Sequence, residues 1–189
     1  MLSTIRTKIR ALVEDFSNND FESFIYENDS YFILAENNIS SVSRVEKNGT
    51  ELASGDWDYD STINKVTISA SLSENDSILV YYNYSKFSDT ELTEYIRAAL
   101  IWISIYAYGS TDYEIEDDSI YPTPDNKTTD LIAIIASILI RPNYSEYRLP
   151  NITVRFPRTL TKEMRIQTLI NKFQSSIGVL DILEWDIIE

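Results

Sequence analysis

The sequence predicts an α+β protein: a small helical bundle with an inserted antiparallel β-module and an extended C-terminal tail. Apolar residues recur at helical spacing near the N-terminus, alternate with polar residues in the next segment, and then return to helical spacing. No alternation of strands and helices of the kind that builds a parallel sheet is visible. The expected bundle comprises residues 1–30 and 85–178, the insertion residues 31–84 and the tail residues 179–189.

The first expected element is a helix over residues 2–16, whose large apolar residues fall on one stripe. Ser3 or Thr4 is the expected N-cap, because a short hydroxyl side chain can accept a hydrogen bond from a free backbone N–H. The next segment, residues 17–30, is polar and rich in Asn and Asp. Its apolar anchors are Phe21, Phe24 and Ile25.

About five short strands are expected in the β-module, at the spacing of roughly 8–12 residues that is typical of an antiparallel sandwich or barrel. The clearest turn is Asn48-Gly49, because a type I′ hairpin needs positive φ at both central residues. A segment of this length is small for an independent hydrophobic core. The expected strands lie near residues 31–34, 42–47, 57–60, 66–69 and 78–84.

A helix from about Asp89 to Tyr108 is expected directly after the β-module. The residues from Ser88 to Glu91 form a capping box at its start, and Gly109 marks its end. The helix's own apolar residues lie on most of its sides, so we expect it to be buried on most sides. The acidic segment 109–127 is expected to be a loop.

Two further helices are expected in the C-terminal third of the chain. Thr128 or Thr129 is the expected cap of a helix over Asp130–Ile140. Thr161 is the expected cap of the last helix, which Gly178 ends.

The composition excludes several classes of enzyme. The chain has 189 residues with no cysteine, no histidine and 4 glycines. Disulfides, thiolate nucleophiles, iron–sulfur clusters and the usual zinc sites are therefore excluded. The glycines lie too far apart for a nucleotide-binding loop. Only carboxylate, hydroxyl and lysine side chains remain as candidates for catalytic chemistry. We expect neither catalytic residues nor a cofactor.

The chain is strongly acidic, with a net charge of −14 from 16 basic and 30 acidic residues. The first 13 residues are an exception, since they carry Arg6, Lys8 and Arg10 and no acid. An acidic surface opposes tight binding to a phosphate backbone, yet it suits a surface past which DNA slides. No apolar run approaches the ~20 residues that span a bilayer, so we expect no membrane segment and no signal peptide.

Two acidic clusters resemble metal sites only superficially. The first consists of Asp56, Asp58 and Asp60 and has the alternating spacing of a calcium loop. Ser61 and Thr67, however, stand where an EF-hand needs Gly and Glu. The second, within residues 114–118, is expected to be a solvated loop. We therefore expect no metal site.

Aromatic residues of the β-module form a candidate binding face for a sugar or a single strand of nucleic acid. The alternative is that they only pack within the module. The candidate face consists of Trp57, Tyr59, Tyr81, Tyr82 and Tyr84.

The C-terminal tail is unusually apolar for a chain terminus, which is normally polar and frayed. Its large apolar side chains favour burial, either on the protein's own body or on a neighbouring subunit. We expect them to form an interface with a partner. They are Ile182, Leu183, Trp185, Ile187 and Ile188.

Two adjacent stretches carry a resemblance to virion proteins of tailed bacteriophages, in particular head–tail connector (adaptor or head-completion) proteins. They are VEKNGTELASGDWDYDSTINKVTISASLSENDSILVYYNY and FSDTELTEYIRAALIWISIY. The resemblance covers roughly residues 40–108 and extends more loosely to the order of helix and tail after residue 160.

The resemblance implies a non-enzymatic virion protein, made in the host cytoplasm, that forms a homo-oligomeric ring in the phage neck. The ring would be a dodecamer that binds the portal protein and the next neck or tail protein. Double-stranded DNA would pass through its lumen without specific binding, and no membrane is involved. Because similar β-modules recur in tail and baseplate proteins, the alternative is a module that binds carbohydrate or a cell-surface ligand.

Overall fold

The computed structural model describes residues 1–107, 112–175 and 183–186, with the backbone alone for residue 175 and for 183–186. Four helices and antiparallel sheets in these ranges confirm the α+β class. The chain divides into two compact units. The helical unit comprises Met1–Asp15 and Asp89–Glu189, and the β unit comprises Phe16–Ser88.

The helices begin close to the expected positions, with two corrections. Gly109 and Gly178, the expected ends of the second and fourth helices, lie outside the described residues. The first helix ends at Leu12 and has Met1 as its N-cap residue, so neither Ser3 nor Thr4 caps it. The third begins earlier than expected, because the Asp125 carboxylate, and neither of the expected threonines, accepts the capping bond from the backbone N–H of Thr128. The helices are α1 (Leu2–Leu12), α2 (Asp89–Tyr106), α3 (Asn126–Ile140) and α4 (Lys162–Ser175).

Helix α3 forms the centre of the helical unit. All eight residues from Leu131 to Ile138 are buried, and the helix contacts α1, α2 and α4. A helix that is apolar on every side is stable only when other elements surround it. The sequence from Leu131 onward therefore determines which helix the others pack around.

Short strands complete the helical unit. Strands β8 (Glu114–Glu116) and β9 (Ser119–Tyr121) form a hairpin where a loop was expected, and Asp117 in its turn has φ 51°. Strands β10 (Glu146–Leu149) and β11 (Ile152–Arg155) form a second antiparallel hairpin. The backbone of β12 (Leu183–Asp186) pairs in parallel with β11.

The β unit consists of two antiparallel sheets that share one hydrophobic core. The strand order is β1-β7-β3-β4 in the first sheet and β2-β6-β5 in the second. Buried residues of both sheets meet between them, among them Phe32, Val45, Val66 and Val80. The strands are β1 (Asn18–Ile25), β2 (Tyr31–Ile33), β3 (Ile39–Lys47), β4 (Thr50–Glu51), β5 (Trp57–Asp60), β6 (Lys65–Ile68) and β7 (Ser77–Tyr84).

The N-terminal border of the β unit differs from the expected one. Strand β1 pairs with β7 along its whole length, from Asn18 opposite Tyr84 to Ile25 opposite Ser77. Residues 18–25, expected in the bundle, therefore belong to the β unit, which begins at Phe16 instead of residue 31.

The expected Asn48-Gly49 hairpin is confirmed, with φ of 51° and 77° at the two residues. A carboxylate secures it from the neighbouring turn. Asp76 accepts bonds from the Ser73 backbone N–H at 2.6 Å and the Asn48 side-chain amide at 2.7 Å, and it pairs with Lys47 at 2.9 Å. These contacts, the Ser73 bond foremost, hold the pKa of Asp76 at about 2.

The lowered pKa of Asp76 predicts a loss of stability in acid. A group with a depressed folded-state pKa stabilises the fold above its unfolded pKa of about 3.9, and this contribution disappears as the pH falls toward 2. We expect Asp76→Asn to be less stable than the parent at neutral pH, and we expect this difference to shrink as the pH falls through about 2. Urea unfolding followed by tryptophan fluorescence at several pH values measures this difference. A difference that does not change with pH would contradict the assignment.

One arginine joins the two chain ends between which the β unit is inserted. The Arg10 guanidinium on α1 pairs through Nη1 with the buried carboxylate of Asp15 and through Nη2 with Asp89 at 2.9 Å. Asp15 and Asp89 are the residues at which the helical unit is interrupted. A single side chain therefore holds both ends of the interruption together.

This arrangement predicts that the helical unit folds without the β unit. Replacing residues 16–88 by a short Gly/Ser linker is expected to leave a helical protein that unfolds cooperatively, because the linker would join ends that Arg10 already holds together. Thermal unfolding followed by far-ultraviolet circular dichroism measures this. A collapsed product without a cooperative transition would mean that the two units depend on one shared core.

A buried arginine organises the segments around α4. Arg165 is 3% exposed, and its guanidinium donates to backbone carbonyls of two loop segments. The guanidinium carbon also lies 5.7 Å from the centre of the Phe156 ring. The accepting carbonyls are those of Pro142 at 2.6 Å, Tyr144 at 2.7 Å, Leu160 at 3.0 Å and Pro157 at 3.2 Å.

Candidate functional site

The five aromatic residues of the expected binding face do not form one surface. Neighbouring residues of a strand point to opposite faces of the sheet, so Tyr81 and Tyr82 on β7 diverge. Tyr82 is 3% exposed and belongs to the core, against which Trp57, Tyr59 and Tyr84 also pack. Packing within the β unit therefore accounts for four of the five rings.

The hydroxyl groups of two of these tyrosines are used within the β unit. Tyr82 donates to Glu22 at 3.0 Å, and Tyr59 donates to Asn64 at 2.9 Å. Burial is the main cause that raises the pKa of both, and the Glu22 bond raises the pKa of Tyr82 further. Both groups thus serve as neutral hydrogen-bond donors.

Tyr81 lies on the outer face of the first sheet, beside an open groove of about 450 Å³. The guanidinium carbon of Arg44 is 4.0 Å from the centre of its ring, and the Phe21 ring is 5.6 Å away. The same Arg44 pairs with Glu46 at 3.1 Å. The ring of Tyr81 is therefore packed by side chains of its own sheet.

The basic residues of α1 are paired inside the helical unit. Arg6 pairs with Asp118 at 2.9 Å, Lys8 with Asp130 at 2.6 Å, and Arg10 with the two aspartates described above. The positive stretch at the start of the sequence therefore does not form a basic surface.

The acidic clusters differ in structure. The three aspartates of the first cluster lie on or beside β5. Thr62 donates to Asp60 through its hydroxyl and its backbone N–H and lowers the pKa of Asp60. The acids of residues 114–118 belong to the β8–β9 hairpin. Within the described ranges, no group of three or more acidic side chains is placed to hold a metal ion.

The tail residues lie partly outside the described residues. Ile182, Ile187 and Ile188 fall there, whereas the backbone of Leu183 lies opposite Ile152 and that of Trp185 opposite Val154 on β11. The tail backbone thus pairs with the chain's own sheet, the first of the two alternatives. The expected interface concerns its side chains and stays a prediction.

Helix α2 is less buried than its sequence predicts. Five of its residues, including Leu100 and Ile103, are buried, but Ile101 is 58% and Ile105 66% exposed. The ring of Trp102 stacks on that of Tyr106, with centroids 5.2 Å apart. An apolar stripe on the C-terminal half of α2 therefore faces away from the core of the helical unit.

A groove of about 570 Å³ lies beside this stripe, between α2 and β8. Sequence reasoning missed it because residues 114–121 were expected to be a loop. A signal was present: Glu-Ile-Glu and Ser-Ile-Tyr flank an Asp-Asp pair, and Asp tolerates the positive φ that a tight hairpin turn requires.

No family model and no curated protein matches this chain. Among the helices of the described ranges, none combines the length and the hydropathy needed to cross a membrane.

Proposed function

We propose that this chain is a non-enzymatic structural protein of a tailed-phage virion, a ring-forming head–tail adaptor of the neck that binds the portal and lines the DNA channel. The proposal rests mainly on the interrupted helical unit: α1 and α2 are separated in sequence by the entire β unit. The resemblance implies a small helical bundle with a β-containing insertion and an extended C-terminal tail, and the order of elements in this chain is compatible with that description.

The surface of α2 supports a role in assembly. A closed ring requires each subunit to present two different complementary surfaces. Ile101 and Ile105 form exposed apolar surface on α2, and such surface on a subunit is typical of protein contacts. In the proposed neck assembly, a protein partner would cover this surface.

The distribution of charge favours a channel through which DNA slides without binding tightly. Tight binding to a phosphate backbone requires clustered Lys and Arg, and the three bases of α1 are engaged in ion pairs with aspartates. With a net charge of −14, a ring of these subunits would repel DNA in its channel and let it slide.

The alternative function, carbohydrate recognition by the β unit, receives no support from the arrangement of its aromatic rings. A sugar-binding platform needs exposed ring faces, whereas Tyr82 is buried and Trp57, Tyr59 and Tyr84 pack against the core. A glycan array probed with the purified protein tests this alternative, and we expect no signal.

The oligomeric state tests the proposed function. We expect native mass spectrometry and negative-stain electron microscopy to show rings, of twelve subunits in the dodecameric case, for the purified chain alone or after addition of a portal protein from the same phage. A chain that stays monomeric with the portal present would contradict the proposal.

Truncation after Gly178 tests the expected interface of the tail. We expect the truncated protein to remain folded and to lose incorporation into the ring, because burying one large apolar side chain contributes roughly 1.5–3 kcal/mol. Circular dichroism and incorporation into particles measure the two effects.

A matched variant separates the side chains of the tail from its backbone pairing. The double substitution Leu183→Ser and Trp185→Ser retains the backbone that pairs with β11. If this variant assembles normally, the tail side chains are not an interface. If truncation unfolds the helical unit, the tail belongs to the core of its own chain.

A further inference from the structure

The groove between α2 and β8 combines apolar and charged side chains. Its apolar lining includes Leu100 and Ile101 of α2 and Ile115 of β8. Asp112, Glu114 and Glu116 add negative charge. Arg97 adds one positive charge, and it pairs with Glu94 at 3.4 Å. A groove with this lining suits a ligand that is partly apolar and carries positive charge.

The groove follows an open strand edge. Among the described strands, β8 pairs with β9 alone, so its other edge carries backbone N–H and C=O groups that no described strand uses. Consecutive residues from Asp112 to Glu116 all line the groove, although alternate side chains of a strand point to opposite faces. The groove therefore runs along the edge of β8 and not across one face of the hairpin.

The hairpin that presents this edge is fixed to the helical unit. Asp118 in its turn pairs with Arg6 at 2.9 Å, and its carbonyl accepts from the backbone N–H of Leu2 at 3.5 Å. Ile120, which lies opposite Ile115 across the hairpin, is buried. An edge that is already in place reduces the ordering cost of binding.

We propose that the α2–β8 groove binds an extended segment of a partner protein in which apolar residues alternate with Lys or Arg. The segment adds to β8 as a third strand, the recognition mode in which backbone hydrogen bonds provide affinity and alternate side chains provide specificity. Its apolar residues lie on the same face as Ile115, toward α2. Its basic residues lie beside Glu114 and Glu116. This inference goes beyond the adaptor proposal and does not depend on ring formation.

Charge excludes the chain's own tail as the occupant, in the same or a second copy. The charged residues of segment 179–189 are all acidic, and Glu114 and Glu116 would repel them. The backbone of Leu183–Asp186 also pairs with β11. The occupant is therefore a basic, extended segment of a different protein.

A synthetic peptide tests the proposal directly. The probe is a fluorescein-labelled, N-acetylated peptide of sequence TKIKVKIKT, titrated with the full-length protein and followed by fluorescence anisotropy. We expect saturable binding. The control peptide has the same composition with its four lysines in one block, and we expect it to bind at least about tenfold more weakly, which corresponds to 1.4 kcal/mol. No binding of the probe, or equal binding of both peptides, would overturn the proposal.

N-methylation of the peptide tests strand addition. Backbone N–H groups of alternate residues point to the same edge of a strand, so one derivative is N-methylated at the lysines and another at the apolar residues. Only the derivative that is blocked on the edge facing β8 should lose affinity, by about tenfold or more. If both derivatives bind as well as the probe, strand addition is wrong.

Protein variants locate the site. Glu114→Lys combined with Glu116→Lys should weaken binding at least about tenfold. The matched control, Glu51→Lys combined with Glu74→Lys, changes the net charge equally at exposed positions of the β unit and should leave binding nearly unchanged. Equal losses would mean that the peptide responds only to net charge, which refutes the groove. The methylated peptides decide the matter if the groove variant does not fold.

Discussion

Replacement of Arg10 by methionine is expected to lower the free energy of unfolding of the helical unit by about 3–5 kcal/mol, the typical cost of breaking a buried ion pair. Asp15 is 1% exposed, and the substitution deprives its carboxylate of the guanidinium that neutralises it. Asp89 loses the same partner. Urea unfolding followed by far-ultraviolet circular dichroism measures the change.

Two further variants make the Arg10 result specific. Arg97→Met removes an exposed arginine that pairs with Glu94 at 3.4 Å, and it should cost less than about 1 kcal/mol. Adding Asp15→Leu to Arg10→Met removes the buried charge as well and should restore part of the lost stability. If Arg10→Met costs no more than Arg97→Met, the link between the two chain ends does not stabilise the helical unit.

Replacement of Arg165 by methionine is expected to cost about 3 kcal/mol or more, because hydrogen bonds to a charged donor contribute about 1.5–3 kcal/mol each and buried carbonyls would lose their donor. Arg165→Lys should recover only part of the loss. An ammonium group keeps the charge but lacks the planar set of five donors that reaches carbonyls of two segments at once. Thermal and urea unfolding of both variants measure these effects.

Arg158 provides the matched control for Arg165. It is an exposed arginine of the loop that precedes α4, and Arg158→Met should change stability by less than about 0.5 kcal/mol. Equal stability of Arg165→Lys and the parent would mean that a positive charge alone is sufficient. Equal stability of Arg165→Met and the parent would contradict the role of the buried guanidinium altogether.

The strands that sequence reasoning missed carry weak sequence signals, each for its own physical reason. Strand β1 lies at the edge of its sheet, and only Glu22 and Phe24 among its eight residues are even partly buried. Its sequence is therefore polar, like that of a loop. The β8–β9 hairpin turns through Asp117 with positive φ, where a Gly would have been a clear signal. In contrast, the alternation in β7 and the Asn48-Gly49 turn were sufficient to predict the strands that surround the core.

The candidate sites were harder to predict because composition does not show which way a side chain points. The period of two in β7 already separates Tyr81 from Tyr82, so alternation alone argues against one five-residue face. The exposure of Ile101 and Ile105 could not be predicted in this way. Helix α2 is apolar on most sides, and which side stays uncovered depends on how α3 packs against it.

The position of α3 has a consequence for the order in which backbone amides exchange with deuterium. An amide in a helix that is enclosed by three others exchanges only when the surrounding helices separate, so its protection reports the full unfolding free energy of the unit. The amides from Ile132 to Ser137 should therefore be the last of the helical unit to exchange. Those near Ile105 on the exposed stripe of α2 should exchange through small local openings, long before the enclosed helix does.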